Sequence, residues 1–283
     1  MRLRKRAIDG LVIAVTGGAR GIGREIAAHL AAAGAQVAIG DRDGAAEAAS
    51  ELPGTAAGFD LDVTDTESFR TFLGAVETRF GTIDVLVNNA GVMWVGPFDE
   101  EPESATDRML AVNLHGVIRG VRLTAPVMRA RGRGQIVTIA SAAARVAPPG
   151  ESTYAATKHG VLGYLTGVRE ELRGSGVLLS AILPGVVDTE LAVGTDTGTV
   201  RLLQPADVAR AVVDVIERPR FEVTLPGYVG PLIRVVNLLP QVLRDPLVRR
   251  MVPDQVAAVS GSSVRTSYES QALSANHDRG AQS

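Results

Sequence analysis

Two side chains four residues apart, Tyr154 and Lys158 in the stretch S-T-Y-A-A-T-K-H-G, have the types and spacing for proton chemistry. On a helix, positions i and i+4 share a face one turn apart, so an ammonium can stand beside a phenol and lower its pKa. A free phenol titrates near 10 and a factor of ten in acidity is worth about 1.4 kcal/mol, so bringing the Tyr154 pKa down to about 7 or 8 needs roughly 3 to 4 kcal/mol. A buried cation acts on that scale. A second cluster, T-G-G-A-R-G-I-G at 16–23, has the makings of a dinucleotide loop. Gly17, Gly21 and Gly23 follow an apolar run and open a helical pattern. Glycine there lets a pyrophosphate approach the unpaired N–H groups of a helix N-terminus, although a glycine cluster alone is equally a tight turn. Asp41 ends the next apolar run, V-A-I-G-D-R, some two dozen residues on. A carboxylate at that place accepts hydrogen bonds from ribose hydroxyls and repels a 2′-phosphate, which favours NAD. Arg42 and, to a lesser degree, Arg20 are the argument for NADP, because an arginine beside the ribose accommodates that phosphate.

The elements that would position these groups follow from hydrophobic periodicity. Nearly continuous Val, Ile, Leu and Ala at 11–15, 36–39, 55–59, 83–87, 135–139, 178–182 and 221–225 predict strands buried on both faces. Helical patterns lie between them at 22–33, 45–52, 67–80, 105–129, 154–173 and 206–217. Strict alternation predicts an α/β fold, a Rossmann-like doubly wound parallel sheet of about seven strands with helices on both faces. Gly34 punctuates the first helix, Thr64 with Glu67 reads as a capping box, and Pro205 opens the last.

Composition excludes several function classes. The 283 residues are 46% hydrophobic and only 4% aromatic, with 31 glycines, which suits one catalytic α/β domain. A formal net charge of −2 provides no field to draw in nucleic acid, so a small-molecule partner is expected. The absence of cysteine removes disulfides and thiolate metal sites, and His29, His115, His159 and His277 are scattered, so no metal site is expected. Asp9 and Gly10 interrupt the basic start before any apolar run of signal-peptide character, and a cytoplasmic location is the expectation.

Taken together, T-G-G-A-R-G-I-G, Asp62 with Val63, N-N-A-G at 88–91, Asn113, Ser141, Tyr154 with Lys158, and P-G-V-V-D-T at 184–189 resemble the short-chain dehydrogenase/reductase family, in its order and spacing, over residues 8–227. The resemblance implies an NAD(P)-binding catalytic domain over that span and an oxidoreductase that interconverts secondary alcohols and ketones. It implies that Tyr154 is the general acid/base, that Lys158 lowers its pKa and binds the nicotinamide ribose, that Ser141 holds the substrate oxygen, and that Asn113 supports a proton-relay water. For the cofactor it implies binding by the loop residues Gly17, Arg20, Gly21, Ile22 and Gly23, by Asp41 and Arg42 beside the adenosine ribose, and by Asp62 and Val63 at the adenine. Asn89, Ala90 and Gly91 would back the ribose, and Pro184, Gly185, Val187 and Thr189 would cover the nicotinamide. Ser152 is a rival substrate-facing hydroxyl, and no G-x-S-x-G elbow supports a serine hydrolase.

After Gly227 the chain departs from the family's short pattern. Residues 228–253 read as an amphipathic helical extension in which Arg234, Arg244, Arg249 and Arg250 flank apolar positions; 231–252 suits docking on a second copy, as homodimer or homotetramer, or peripheral membrane contact. Residues 254–283, with few large apolar groups from about 260, are expected to be disordered. Val92, Met93, Trp94, Val95, Phe98, Leu191 and Val193 are the expected pocket wall, with 190–204 as a mobile lid. That wall predicts an uncharged, fairly lipophilic alcohol or ketone. An NADPH-dependent carbonyl reductase, and a low-turnover nucleotide-binding scaffold or redox sensor, are the alternatives.

Overall fold

A computed structural model describes residues 6–273. Seven strands, β1 (Val12–Thr16), β2 (Gln36–Asp41), β3 (Thr55–Asp60), β4 (Val85–Asn88), β5 (Gly134–Ile139), β6 (Val177–Pro184) and β7 (Glu222–Leu225), form one sheet in the order β3-β2-β1-β4-β5-β6-β7. Every adjacent pair is parallel. All five residues of β1 are buried, as a strand covered on both faces requires. One core layer gathers around Phe69, Phe72, Met109 and Leu165. The other gathers around Ile26, Leu30, Val208 and Val212. Because β1 has β2 on one side and β4 on the other, the chain reverses its winding there, and a crevice opens at the carboxyl ends of these strands.

The helices are α1 (Gly21–Ala32), α2 (Ala45–Ser50), α3 (Thr66–Phe80), α4 (Glu103–Met109), α5 (Gly116–Ala130), α6 (Ser152–Glu171), α7 (Pro205–Glu217), α8 (Val229–Asn237), α9 (Gln241–Met251), α10 (Gln255–Val259) and α11 (Ser263–Ala272). Two local readings change. Asp65, and not Thr64, caps α3, its carboxylate accepting from the backbone N–H groups of Glu67 and Ser68. The helix expected over 105–129 is α4 and α5 joined by a wider π-helical stretch, Leu110–His115, that carries Asn113.

The expectation of disorder from 254 onward is overturned over the described part of the tail; residues 274–283 lie outside the described residues. Asp254 and Ser262 cap α10 and α11. Gln255 is buried, accepting from the Asp196 N–H and donating to the Asp196 carbonyl, both at 2.8 Å. Arg265 is 2% exposed and donates to the carbonyls of Leu191 and Met93 and to the Glu269 carboxylate. The tail is held by buried polar groups that satisfy backbone carbonyls, a device that a count of large apolar residues does not register. By contrast α9 buries nothing, and Leu238 and Val242 are 84% and 83% exposed. Among the described residues, no helix is long and apolar enough to cross a membrane.

Candidate active site

A cleft of about 430 Å³ runs along the carboxyl ends of β1, β2, β4, β5 and β6. Every residue expected at the cofactor or in catalysis borders it except Asn113. At the nucleotide end, β1 passes through the glycine loop into α1. Gly17 has φ +65°, and a Cβ on it would come within 2.8 Å of the Ala90 Cα, so only glycine lets the loop lie against the strand β4 exit. A Cβ on Gly23 would meet the Gly17 carbonyl oxygen at 2.0 Å. Asn89 fixes this loop: its Nδ2 donates to the carbonyls of Thr16 (3.0 Å) and Gly17 (2.8 Å), while the Thr16 hydroxyl accepts from the backbone N–H groups of Asn89 and Ala90. The Asn89 amide thus holds the cradle itself.

Asp41 stands at the end of β2, one carboxylate oxygen accepting from the Ala19 N–H (3.0 Å) and the other from the Arg42 N–H (2.8 Å). Asp62 lies deeper. Burial would raise its carboxyl, but the hydroxyl and N–H of Thr64 donate to it at 2.7 and 2.8 Å and Arg108 and Arg42 stand nearby, so its pKa is lowered. Burial pushes the Arg108 guanidinium down, Arg42 adds to the effect and Asp62 opposes it. The Arg108 Nε is buried without a partner. Arg108 was not legible as a site residue, since nothing in the helix E-S-A-T-D-R-M marks it. Arg20 reaches across to Glu190 on the lid at 3.5 Å, both side chains being exposed.

At the chemical end, β5 delivers Ser141 and α6 delivers Tyr154 and Lys158. The Ser141 hydroxyl accepts from the Ala143 N–H at 3.0 Å, so it caps a short turn as well as facing the cleft. It is also hydrogen-bonded to the Tyr154 phenol. Lys158 Nζ donates to the Ile139 carbonyl at 3.2 Å and lies 5.5 Å from the centre of the Tyr154 ring. Burial pushes this ammonium down to about 8. The phenol departs from expectation: burial, and then the charge of Glu151, raise its pKa, with the Ser141 hydrogen bond opposing them. In the protein alone, desolvation outweighs the help expected from Lys158.

Asn113 is fully buried and stands behind the cleft. Its amide donates to the Val92 carbonyl and accepts from the Val92 N–H, both at 2.8 Å, and contacts Thr157, whose hydroxyl donates to the Tyr154 carbonyl at 2.7 Å. The side chain ties the segment after β4 to the helix that bears Tyr154. Of the expected pocket wall, Val92, Met93 and Leu191 border the cleft, while Trp94, Val95 and Val193 do not. Phe98 is 78% exposed, on the outer surface. Their places are taken by Glu151, Tyr268 and Ala272, which sequence reading missed. Pro184 ends β6, Gly185 N–H donates to the Leu225 carbonyl at 2.8 Å, and Val187 pairs with Leu203, so the strip to Thr189 is folded as a roof over the cleft.

A parallel sheet with a glycine cradle at its winding reversal and a Ser–Tyr–Lys cluster beyond it defines a dinucleotide-type oxidoreductase site. The profile of the short chain dehydrogenase family matches residues 11–198. D-beta-hydroxybutyrate dehydrogenase of Rhizobium meliloti is 39% identical over 184 residues, covering 62% of this chain and 71% of that protein. Probable oxidoreductase EphD of Mycobacterium tuberculosis is 33% identical over 267 residues, 85% of this chain, which spans only 45% of that longer protein. A crystal structure of a short chain dehydrogenase/reductase from Burkholderia phymatum in complex with NAD superposes with a TM-score of 0.76 at 26% identity, covering 85% of this chain and 98% of that one. The chain belongs to the short chain dehydrogenase family, and is thereby an oxidoreductase acting on CH–OH groups.

Proposed function

We propose that the protein is an NAD-dependent oxidoreductase that interconverts a secondary alcohol and a ketone on a small molecule. The observation that carries this is the convergence of Ser141, Tyr154 and Lys158 on the same cleft as the Gly17–Gly23 cradle. The cradle fits a pyrophosphate, since the space a Cβ would fill at Gly17 and Gly23 is closed by backbone, and Gly21, Ile22 and Gly23, which open α1, border the cleft. Asp41 would take the ribose hydroxyls, Asp62 and Val63 the adenine, Ala90 and Gly91 the ribose face, and Pro184, Gly185, Val187 and Thr189 the nicotinamide. When bound, the cofactor supplies or accepts the hydride.

The chain's own residues handle the proton. Ser141 donates to the substrate oxygen and holds it against Tyr154. Tyr154 gives its phenolic proton to a carbonyl being reduced, or takes the proton of an alcohol being oxidised, which is typically worth 10²- to 10⁴-fold. Lys158 stands as the cation that steadies the resulting phenolate, and Asn113 positions the helix behind both. The roof at 184–192 and, from the tail helix α11, Tyr268 and Ala272 line this end of the cleft.

Arg42 and Arg108, with its unpartnered Nε, are the specific observation that favours NADP as the second reading. A fluorescence titration with NADH and NADPH, followed by a turnover screen of secondary alcohols and ketones, tests both. Tighter NADH binding, by about tenfold or more, supports the Asp41 reading; NADPH tighter by as much overturns it. The exposed Leu238, Val242 and Leu243 beside Arg244, Arg249 and Arg250 support a homo-oligomer or a peripheral anionic-membrane contact. Sedimentation of the full chain alone and with anionic vesicles, compared with Leu238→Glu/Val242→Glu, separates these, and unchanged behaviour in both assays removes this face from either role.

A further inference from the structure

Three acidic side chains that the chemistry above does not use border the cleft, and of these Asp188 and Glu190 are exposed while Glu151 is buried. Glu151 sits at the residue before α6, three positions ahead of Tyr154, and borders the cleft with only 7% of its surface exposed. It stands at the N-cap position, and its side chain makes no capping hydrogen bond. Among the described residues its carboxylate takes no hydrogen bond from any protein group. The cation whose charge acts on it, Arg265, has all three guanidinium nitrogens engaged, with Glu269, Leu191 and Met93.

The surrounding chain holds Glu151 in this place. Pro149 accepts from the Gln255 N–H at 3.1 Å and Gly150 accepts from the Gly96 N–H at 3.0 Å. Gly150 has φ +89°, and a Cβ on it would meet the Val256 nitrogen at 2.9 Å, so the turn that presents Glu151 is packed directly against α10. The tail that closes the substrate side therefore also sets the carboxyl. Tyr268, from α11, borders the same space and takes a hydrogen bond at its phenol from the Met93 backbone. The Glu151 oxygens are not among the fully enclosed unpartnered atoms, so they open on the cleft, where a ligand donor can reach them.

We propose that Glu151 is a substrate-recognising residue whose carboxylate accepts a hydrogen bond from a second donor, a hydroxyl or an ammonium, carried close to the reacting carbinol. Residues three apart on a helical turn have Cβ atoms about 5 to 6 Å apart, which puts that donor within about two or three carbons of the reacting oxygen. The substrate class is then a short polyol or amino alcohol, and above about pH 7, where the carboxyl is ionised, like charge disfavours a substrate carboxylate. This narrows the lipophilic alcohol that the wall residues alone suggest, and it separates this chain from a relative whose name specifies a hydroxy acid. The inference rests on the alcohol/ketone reading of the same site.

The test is kinetic, on the full-length protein with NAD. Four probes are compared: butane-2,3-diol, 1-aminopropan-2-ol, butan-2-ol and 3-hydroxybutyrate. The wild type is expected to favour the diol or the amino alcohol over butan-2-ol by about tenfold or more in kcat/KM, with 3-hydroxybutyrate last. Glu151→Leu should collapse the diol-to-monol ratio. Glu151→Gln, which keeps the shape and one acceptor, should retain part of that ratio and raise 3-hydroxybutyrate relative to butan-2-ol. Preference for the amino alcohol that vanishes in Glu151→Gln identifies an ammonium, and preference for the diol that survives it identifies a hydroxyl. Equal wild-type turnover of diol and monol, or ratios unmoved by both variants, overturns the proposal while leaving the alcohol/ketone reading standing. No turnover of any alcohol overturns both.

Discussion

An alanine at position 23 puts one methyl group where the nucleotide loop has no room for it. Its Cβ would stand 2.0 Å from the Gly17 carbonyl oxygen and 2.5 Å from Asn89 Nδ2, and neither atom is free to move. That carbonyl accepts from Asn89 at 2.8 Å, Asn89 also grips Thr16, and the Gly17 N–H is bound to the Gly40 carbonyl at 2.8 Å. To reach ordinary contact the carbonyl must retreat by more than an ångström, which overpacks the loop at a cost of about 1 to 3 kcal/mol. Losing the Asn89 bond adds about 1 kcal/mol. Because the displaced carbonyl belongs to the pyrophosphate cradle, Gly23→Ala should weaken NADH binding by about 100-fold, equivalent to about 3 kcal/mol. Gly21→Ala is the contrast: its Cβ would meet only Thr189 Cγ2, at 3.8 Å, leaving the strain of φ +54° as the main cost. That strain is worth about 1 to 2 kcal/mol. Fluorescence titration with NADH, alongside urea unfolding of each variant, reads both effects. Binding by Gly23→Ala within about threefold of wild type, or tighter than by Gly21→Ala, refutes the cradle geometry and the free-energy reasoning built on it.

Two other perturbations address the substrate side. Arg265→Met removes the donors to Leu191, Met93 and Glu269, leaving a half-buried carboxylate that still accepts from the Val95 N–H at 3.0 Å. Breaking a buried pair in this way costs about 3 to 5 kcal/mol locally, so hydrogen exchange over 255–272 should accelerate and KM for alcohols rise while NADH affinity holds; slow exchange over the tail would refute the role given to Arg265. Burial, opposed by Arg265, raises the Glu151 pKa from 4.5 to about 7. The folded protein then binds more protons than the unfolded chain over that window, so its contribution is fully present below about pH 4.5 and is lost as pH rises through about 7, by about 3 kcal/mol. Urea unfolding across that range should show wild type falling relative to Glu151→Gln, and parallel profiles would contradict the burial of this carboxyl.

How much of the site could be read from sequence depends on whether the information was local. The Gly17–Gly23 loop and the Tyr154–Lys158 pair are short-range patterns imposed by one turn or one helix, and both border the cleft as their spacing implies. The strand assignments were legible because β1, β4 and β5 are buried throughout and rich in Val, Ile, Leu and Ala. Asn113 was legible as a site residue by its resemblance, but its side chain is taken up by Val92, and no pattern around it announces the π-helical stretch. Glu151 could not be found in this way: P-P-G-E before a helix looks like a solvated cap, and its burial is created by α10 and α11 more than a hundred residues later. The same distance hid those helices themselves. Their anchors, Gln255 and Arg265, are polar residues whose partners lie at Asp196, Leu191 and Met93. Phe98 shows the reverse error, an aromatic side chain assigned to a pocket from its type and found on the surface.

The central claim is that Tyr154 moves the proton while a nicotinamide held along 17–23 moves the hydride. Tyr154→Phe removes one oxygen from a buried ring and leaves the cradle untouched. NADH titration and single-turnover reduction of a ketone that the wild type accepts, run on the same preparation, test it directly. The expected result is unchanged NADH affinity and a rate lower by about 10²- to 10⁴-fold. A Tyr154→Phe protein that binds NADH and reduces the ketone at the wild-type rate would contradict the claim.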